Sequence, residues 1–226
     1  MPMIIAFVSQ KGGVGKSTLA RTLGAVVAHG GLSVLIADLD PKQSTSLQWI
    51  KKREPDDDIE IDVRSYEELE DALADGEEFE VVILDLPGGV SRRTLDVAKA
   101  SHLLVLPTGP SVDDLHPTVL LHHELTTAGI SNERIACAIC RTLSKDEEAD
   151  ARDYLVEAGC FVLPGALPEK VAYRTALNQG RAMTETASSD LNERADALIE
   201  SILNRIASQF ENATQTQSRN HKGSAA

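Results

Sequence analysis

The sequence predicts an α/β protein: a doubly wound, mostly parallel sheet with helices on both faces. Two observations carry this. Short, nearly all-apolar runs alternate with segments of helical periodicity along most of the 226 residues, which is the signature of βαβ units. The first run also passes straight into a glycine-rich loop that opens a helix, the context a phosphate loop requires.

The candidate strands are Ile4–Ser9, Ser33–Asp38, Glu60–Val63, Val81–Asp85, His102–Leu106, Ile135–Arg141 and Cys160–Leu163. Several are apolar throughout, as strands covered on both faces should be. The helical segments between them are Ser17–His29, Ser44–Lys52, Tyr66–Asp75, Arg93–Ala100, Val112–Ala128 and Glu147–Ala158. A last helix, Arg194–Phe210, places Ala195, Leu198, Ile199, Ile202, Leu203, Ile206 and Phe210 on one face, which suits packing on the sheet. A membrane-surface helix would carry a Lys/Arg-rich polar face, whereas this one sets Arg194 and Arg205 beside Glu193, Asp196 and Glu200. One domain over residues 1–211 is expected, followed by a flexible polar tail over 212–226. Asp56–Asp58 read as a solvated charged loop.

Composition narrows the function. Apolar residues make up 42% of the chain, too many for a disordered protein. No apolar run approaches the ~20 residues of a membrane span. Met3–Val8 is too short for a signal-peptide core, and three cysteines do not describe a disulfide framework, so a cytoplasmic protein is expected. The net charge of −13 argues against a uniformly basic nucleic-acid-binding coat but leaves room for a local patch. Aromatic residues at 4% supply no stacking platform for single strands.

The strongest motif is Ser9-Gln-Lys-Gly-Gly-Val-Gly-Lys-Ser-Thr18. Gly12, Gly13 and Gly15 let the backbone turn tightly, so that N–H groups through Val14 face phosphate oxygens. The helix that follows adds its positive end. Lys16 is placed to bridge β- and γ-phosphates, the Ser17 hydroxyl to ligate Mg²⁺ and Thr18 to donate to the α-phosphate. The common pattern would put a glycine at position 10; here that residue is Gln10, and Lys11 precedes the glycines.

Three carboxylates stand at strand ends, where folds of this class place ligands. Asp38 and Asp40 end the second strand, and Asp85 ends the apolar strand Val81–Asp85. Asp85 suits Mg²⁺, usually through water. Asp38 suits Mg²⁺ or the geometry of its loop, and each of the three could instead cap the helix that follows. Leu86-Pro-Gly-Gly89 reads as a mobile switch loop beside a γ-phosphate.

Cys137 and Cys140 form a C-x-x-C string, but in a strand residues three apart face opposite sides, so both read as core, as does Cys160. His122 and His123 are adjacent on a helix and do not share a face; they read as a packed or solvated pair.

With these motifs in order over about residues 3–207, the sequence resembles the ParA/MinD family of deviant-Walker P-loop ATPases, and within it the short ParA-like proteins of ParF, MipZ and McdA type. The stretch Asp38-Leu-Asp-Pro-Lys-Gln-Ser-Thr-Ser46 departs from the usual Asp-Pro-Gln by the insertion of Lys42 and looks closer to the MipZ branch. The resemblance implies a slow ATPase using ATP/ADP and Mg²⁺. It implies that Lys11 reaches the phosphates of a partner in a sandwich homodimer, with Lys11, Lys16 and Asp40 as catalytic residues and Asp40 positioning water. It places an adenine contact at Arg141, which also reads as an ordinary surface arginine, and a base-covering segment at Pro164–Arg181.

It further implies dimer-dependent binding to non-specific double-stranded DNA, nucleoid association, and release by a ParB-like or small basic adaptor. Together these would position a plasmid, chromosome or protein assembly such as a carboxysome, with no membrane partner. Candidate DNA residues are Lys170, Arg174, Arg181, Arg194 and Arg205, each of which also reads as plain solvated charge. Glu169 and Ala172 stand where some relatives are basic. Two other readings stay open: a MinD-like membrane-surface or cell-division regulator that does not use DNA, and a metabolic P-loop enzyme.

Overall fold

A computed structural model describes residues 1–54, 59–89 and 92–223, with side chains beyond Gln209 and that of Arg92 left aside. The charged loop Asp56–Asp58, the end of the tail at 224–226 and the Phe210 side chain lie outside what is described. Among the described residues seven parallel strands form the sheet, in the order β3-β2-β4-β1-β5-β6-β7. They are β1 (Met3–Phe7), β2 (Val34–Asp38), β3 (Asp62–Ser65), β4 (Val81–Asp85), β5 (Leu103–Thr108), β6 (Ile135–Thr142) and β7 (Leu167–Pro168). The helices are α1 (Lys16–His29), α2 (Thr45–Ile50), α3 (Leu69–Gly76), α4 (Arg92–Ala100), α5 (Val112–Thr127), α6 (Lys145–Glu157), α7 (Val171–Asn178) and α8 (Ser189–Gly223).

Side-chain alternation splits the core between the two faces of the sheet. Ile5 and Phe7 of β1 pack with Leu19 and Leu23 of α1, Trp49 of α2, Tyr173 of α7 and Ile199 of α8. Ala6 and Val8 face the other way, toward Leu69 of α3, Val97 of α4, Leu121 of α5 and Leu155 of α6. Strands bounded by such layers have no solvent face, which is why β2 and β4 are buried at every position. The same alternation puts Cys137 and Cys140 on opposite faces, as expected for a strand.

Three expectations change. Cys160–Leu163 is not a regular strand: it meets β6 through one bridge, Cys137 to Val162, and the short edge strand β7 follows instead. Pro164 and Gly165, the latter at φ 83°, interrupt it. A helix absent from the sequence reading, α7, fills part of Pro164–Arg181. The last helix begins at Ser189 and runs to Gly223, where a polar tail was expected from Asn212. No proline or glycine occurs between Asn212 and Lys222 to stop it.

The strand order reverses at β1. Its carboxyl end therefore opens onto a crevice between diverging connections, the place where doubly wound sheets bind ligands.

Candidate functional site

Residues 8–15 connect β1 to α1 across that crevice. Gly15 sits at the head of α1 at φ 115°, with no side-chain cap on the helix. The first-turn amides are thus left for an anion. A Cβ on Gly15 would stand 3.3 Å from Cys140 Sγ, so both conformation and space demand glycine here. Val14 is buried and contributes its backbone.

Lys16 is buried at 6% exposure, and its Nζ donates to the Lys11 carbonyl at 3.1 Å. Burial lowers its pKa, opposed by Asp85 and Asp40. Lys11 points elsewhere: its Nζ reaches Asp114 Oδ1 at 3.1 Å, with 41% of the side chain exposed.

A cluster of oxygen donors lies beside Lys16. Ser17 Oγ donates to Asp85 Oδ1 at 3.0 Å, and Thr45 Oγ1 donates to Ser17 Oγ at 3.4 Å. Ser46 Oγ donates to Asp85 Oδ2 at 2.8 Å. Asp85 is 2% exposed. Its pKa is pushed up to about 6 by burial, with the Ser46 and Ser17 hydroxyls opposing and neighbouring Asp38 adding to the rise. The Asp85 carboxylate and the Ser17 and Thr45 hydroxyls, which line the crevice, form a hard-oxygen donor set that suits Mg²⁺. Ser17 and Asp85 are thus brought together as the sequence suggested.

Asp38 has a different environment. Its Oδ1 accepts from the Asp40 amide at 3.1 Å, and its Oδ2 from the amides of Ser46 at 2.9 Å and Leu47 at 3.4 Å. Of the roles the sequence left open, both oxygens serve loop geometry and the start of α2. Asp40 is half-buried at the mouth, where its carbonyl and Oδ1 accept from the Gln43 amide and the carbonyl also accepts from Ser44. The loop turns tightly there, with Ser44 at φ 47°.

The glycines after β4 touch the phosphate loop directly. Gly89 donates its amide to the Ser9 carbonyl at 3.2 Å. A Cβ on Gly88 would stand 3.2 Å from the Gly12 nitrogen.

The crevice has a volume of about 530 Å³, within the ~300–1,000 Å³ of small-molecule sites. The phosphate loop, Asp40, Asp85, Arg141, Glu169 and Tyr173 are among the residues that line it. Arg141 adopts φ 63°, donating from Nη1 to the Gly13 carbonyl and from Nε to Glu169 Oε2, both at 3.0 Å. Its guanidinium, expected to contact adenine, is tied here to the phosphate loop and to Glu169.

The basic residues do not converge as one patch. Lys170 and Arg174 flank the crevice, with Arg174 Nε 3.9 Å from Glu169 Oε1. Arg181 is exposed. Arg194 pairs with Asp190 at 3.3 Å. Arg205 lies about 16 Å further along α8, its guanidinium 3.9 Å from the Phe161 ring centroid. It packs against the amino end of β6 and is separated from the rest.

Sequence reading missed Ser46, Thr45, Arg21 and Asp114. Arg21 Nε donates to Ser46 Oγ at 3.1 Å and thereby supports Asp85. The usable signal for Ser46 was its place just inside a helix that follows two strand-end aspartates.

The comparisons agree with this geometry. The chain is 25% identical over 219 residues to Protein ParA of Rhizobium radiobacter, spanning 91% of this chain and 98% of that protein. It is 25% identical over 193 residues to the Maintenance of carboxysome distribution protein A of Gloeobacter kilaueensis, spanning 85% and 88%. Among solved structures it resembles the cell division ATPase MinD of Pyrococcus furiosus, with a TM-score of 0.73 and 20% identity over 90% of this chain and 99% of that one. Residues 5–222 match the sequence profile of the CobQ/CobB/MinD/ParA nucleotide binding domain, and the chain belongs to that family.

Proposed function

We propose that this protein is a positioning ATPase that forms an ATP-dependent sandwich dimer, binds DNA without sequence preference, and leaves it when an adaptor stimulates hydrolysis. The observation that carries the reading is the division of labour between two lysines in one loop. Lys16 is buried inside the cradle, while Lys11 stands at its rim, its side chain 41% exposed and its ammonium turned away from the cradle to Asp114. A single bound triphosphate has no evident need of Lys11 from its own subunit; a triphosphate presented by a facing copy does. The likeness to a ParA and to a carboxysome-distribution protein over most of the chain supports the positioning role.

Each residue then has a task. The loop amides and Lys16 hold the β- and γ-phosphates. Ser17 and Asp85 would hold Mg²⁺, which when bound neutralises phosphate charge. Asp40 orients the attacking water, and the Gly88–Gly89 contact reports whether the γ-phosphate is present. Arg141 and the α7 segment border the base. Exposed Val112, Leu143 and Val171, at the heads of α5 and α7 and just after β6, supply apolar surface for the facing copy. Dimerisation brings two Lys170/Arg174 pairs to one side of an otherwise acidic protein, which places the working protein on the nucleoid.

The test is retention of random-sequence duplex DNA at low salt, with no nucleotide, ADP or ATP, in Asp40→Ala to trap the ATP state. Binding should appear with ATP alone and fall by orders of magnitude between roughly 50 and 200 mM salt. Charge reversal at Lys170 and Arg174 together should abolish it. An ATP dimer that ignores DNA would overturn the DNA step and turn attention to anionic membranes.

A further inference from the structure

The two loop lysines rest on partners inside their own subunit. Lys16 Nζ is bonded to the Lys11 carbonyl at 3.1 Å, and Lys11 Nζ to Asp114 Oδ1 at 3.1 Å. Asp114 lies 103 residues away in the chain, in the first turn of α5. Its carboxylate is held from both sides: Oδ2 accepts from Ser111 Oγ at 2.9 Å, and Gly109 leaves the space for that oxygen, since a Cβ there would collide with it.

We propose that Asp114 is a positioning residue that holds Lys11 within its own subunit, so that two copies must break this contact twice before they pair across the triphosphate. The inference rests on the sandwich-dimer reading and adds the residue that opposes it. Asp114 offers Lys11 an anion in place of the partner's phosphate. It is suited to let go, because Ser111 and the amino end of α5 keep its charge satisfied when the lysine leaves. Arrival of a nucleotide starts the release. Phosphates draw Lys16 away from the Lys11 carbonyl, and the backbone that carries Lys11 loses its anchor.

A half-exposed ion pair contributes modestly, and a two-fold dimer counts it twice. Removing it should lower the dimer dissociation constant roughly two- to thirty-fold.

Two variants test this by different means. Asp114→Asn removes the charge. Gly109→Ala keeps every charge and displaces the carboxylate. Sedimentation velocity with Mg²⁺ and a hydrolysis-resistant ATP analogue reads the dimer constant of each against wild type. Tighter dimers in both variants support the proposal, and a misfolded variant cannot mimic that gain. If wild type dimerises and the variants pair equally or less well, Asp114 does not restrain Lys11 and the sandwich reading stands. If none of the three dimerises, both fall together.

Discussion

Asp38 and Asp85 are register partners on the neighbouring parallel strands β2 and β4, so two buried carboxylates end side by side at the carboxyl ends of these strands. Ser46 separates their duties, giving its amide to Asp38 and its hydroxyl to Asp85. Groups that orient a metal-binding carboxylate typically matter by 10–100-fold in metal affinity. Ser46→Ala should therefore raise the Mg²⁺ concentration needed for tight ATP binding by about tenfold or more. A Mg²⁺ titration of fluorescent-nucleotide binding checks it; an unchanged midpoint would show that Asp85 needs no such support.

The two aspartates of the second strand should fail in different ways. Asp38→Ala strands three backbone amides and should cost about 1–3 kcal/mol of stability, seen as a lower midpoint in urea. Asp40→Ala leaves stability within about 0.5 kcal/mol while removing ATP turnover. Equal destabilisation by both would refute the assignment of Asp38 to loop geometry.

Gly88 lies against the backbone of the phosphate loop, and neither side is a flexible side chain. Gly88→Ala should weaken ATP binding while barely moving the melting temperature. Isothermal titration with ATP and ADP measures it; wild-type affinity for both would show that the two loops move independently.

The turn just before α8 carries a pH-dependent clamp. Glu185 meets the guanidinium of buried Arg53, the Ala182 amide at 2.5 Å and His29 at 3.0 Å. Burial alone would raise its pKa, but these partners hold it at about 2, against an ordinary 4.5. A depressed carboxylate stabilises the fold above its unfolded pKa and loses that contribution as pH falls through the folded value. Glu185→Gln should cost about 1–2 kcal/mol at pH 7, part of the electrostatic gain being screened by solvent, and the gap from wild type should close between pH 4.5 and 2. Urea unfolding across that range tests the sign; a gap that widens in acid contradicts it.

Much of this was legible in the residues. Unbroken apolar strands told of a sheet covered on both faces, and the glycine loop between β1 and α1 located the site. What stayed hidden depends on partners far apart in sequence. Whether Asp38 takes a metal or backbone amides is decided by where α2 begins, not by residue type. Helix α7 was missed because its buried positions, Tyr173 and Ala176, are too few to show a period. The resting partner of Lys11 lies in another helix, and the stacking of Arg205 on Phe161 required α8 to cross the amino end of β6.

The central claim is that Lys11 completes the site of a facing copy. Lys11→Ala and Asp40→Ala, each inactive alone, should regain ATP turnover when mixed, because one site of the mixed dimer then holds both residues. By random pairing in a two-fold dimer the recovery should reach about a quarter of wild type. A mixture as inactive as its components, beside an active wild type, would show that Lys11 serves its own subunit and would contradict the account.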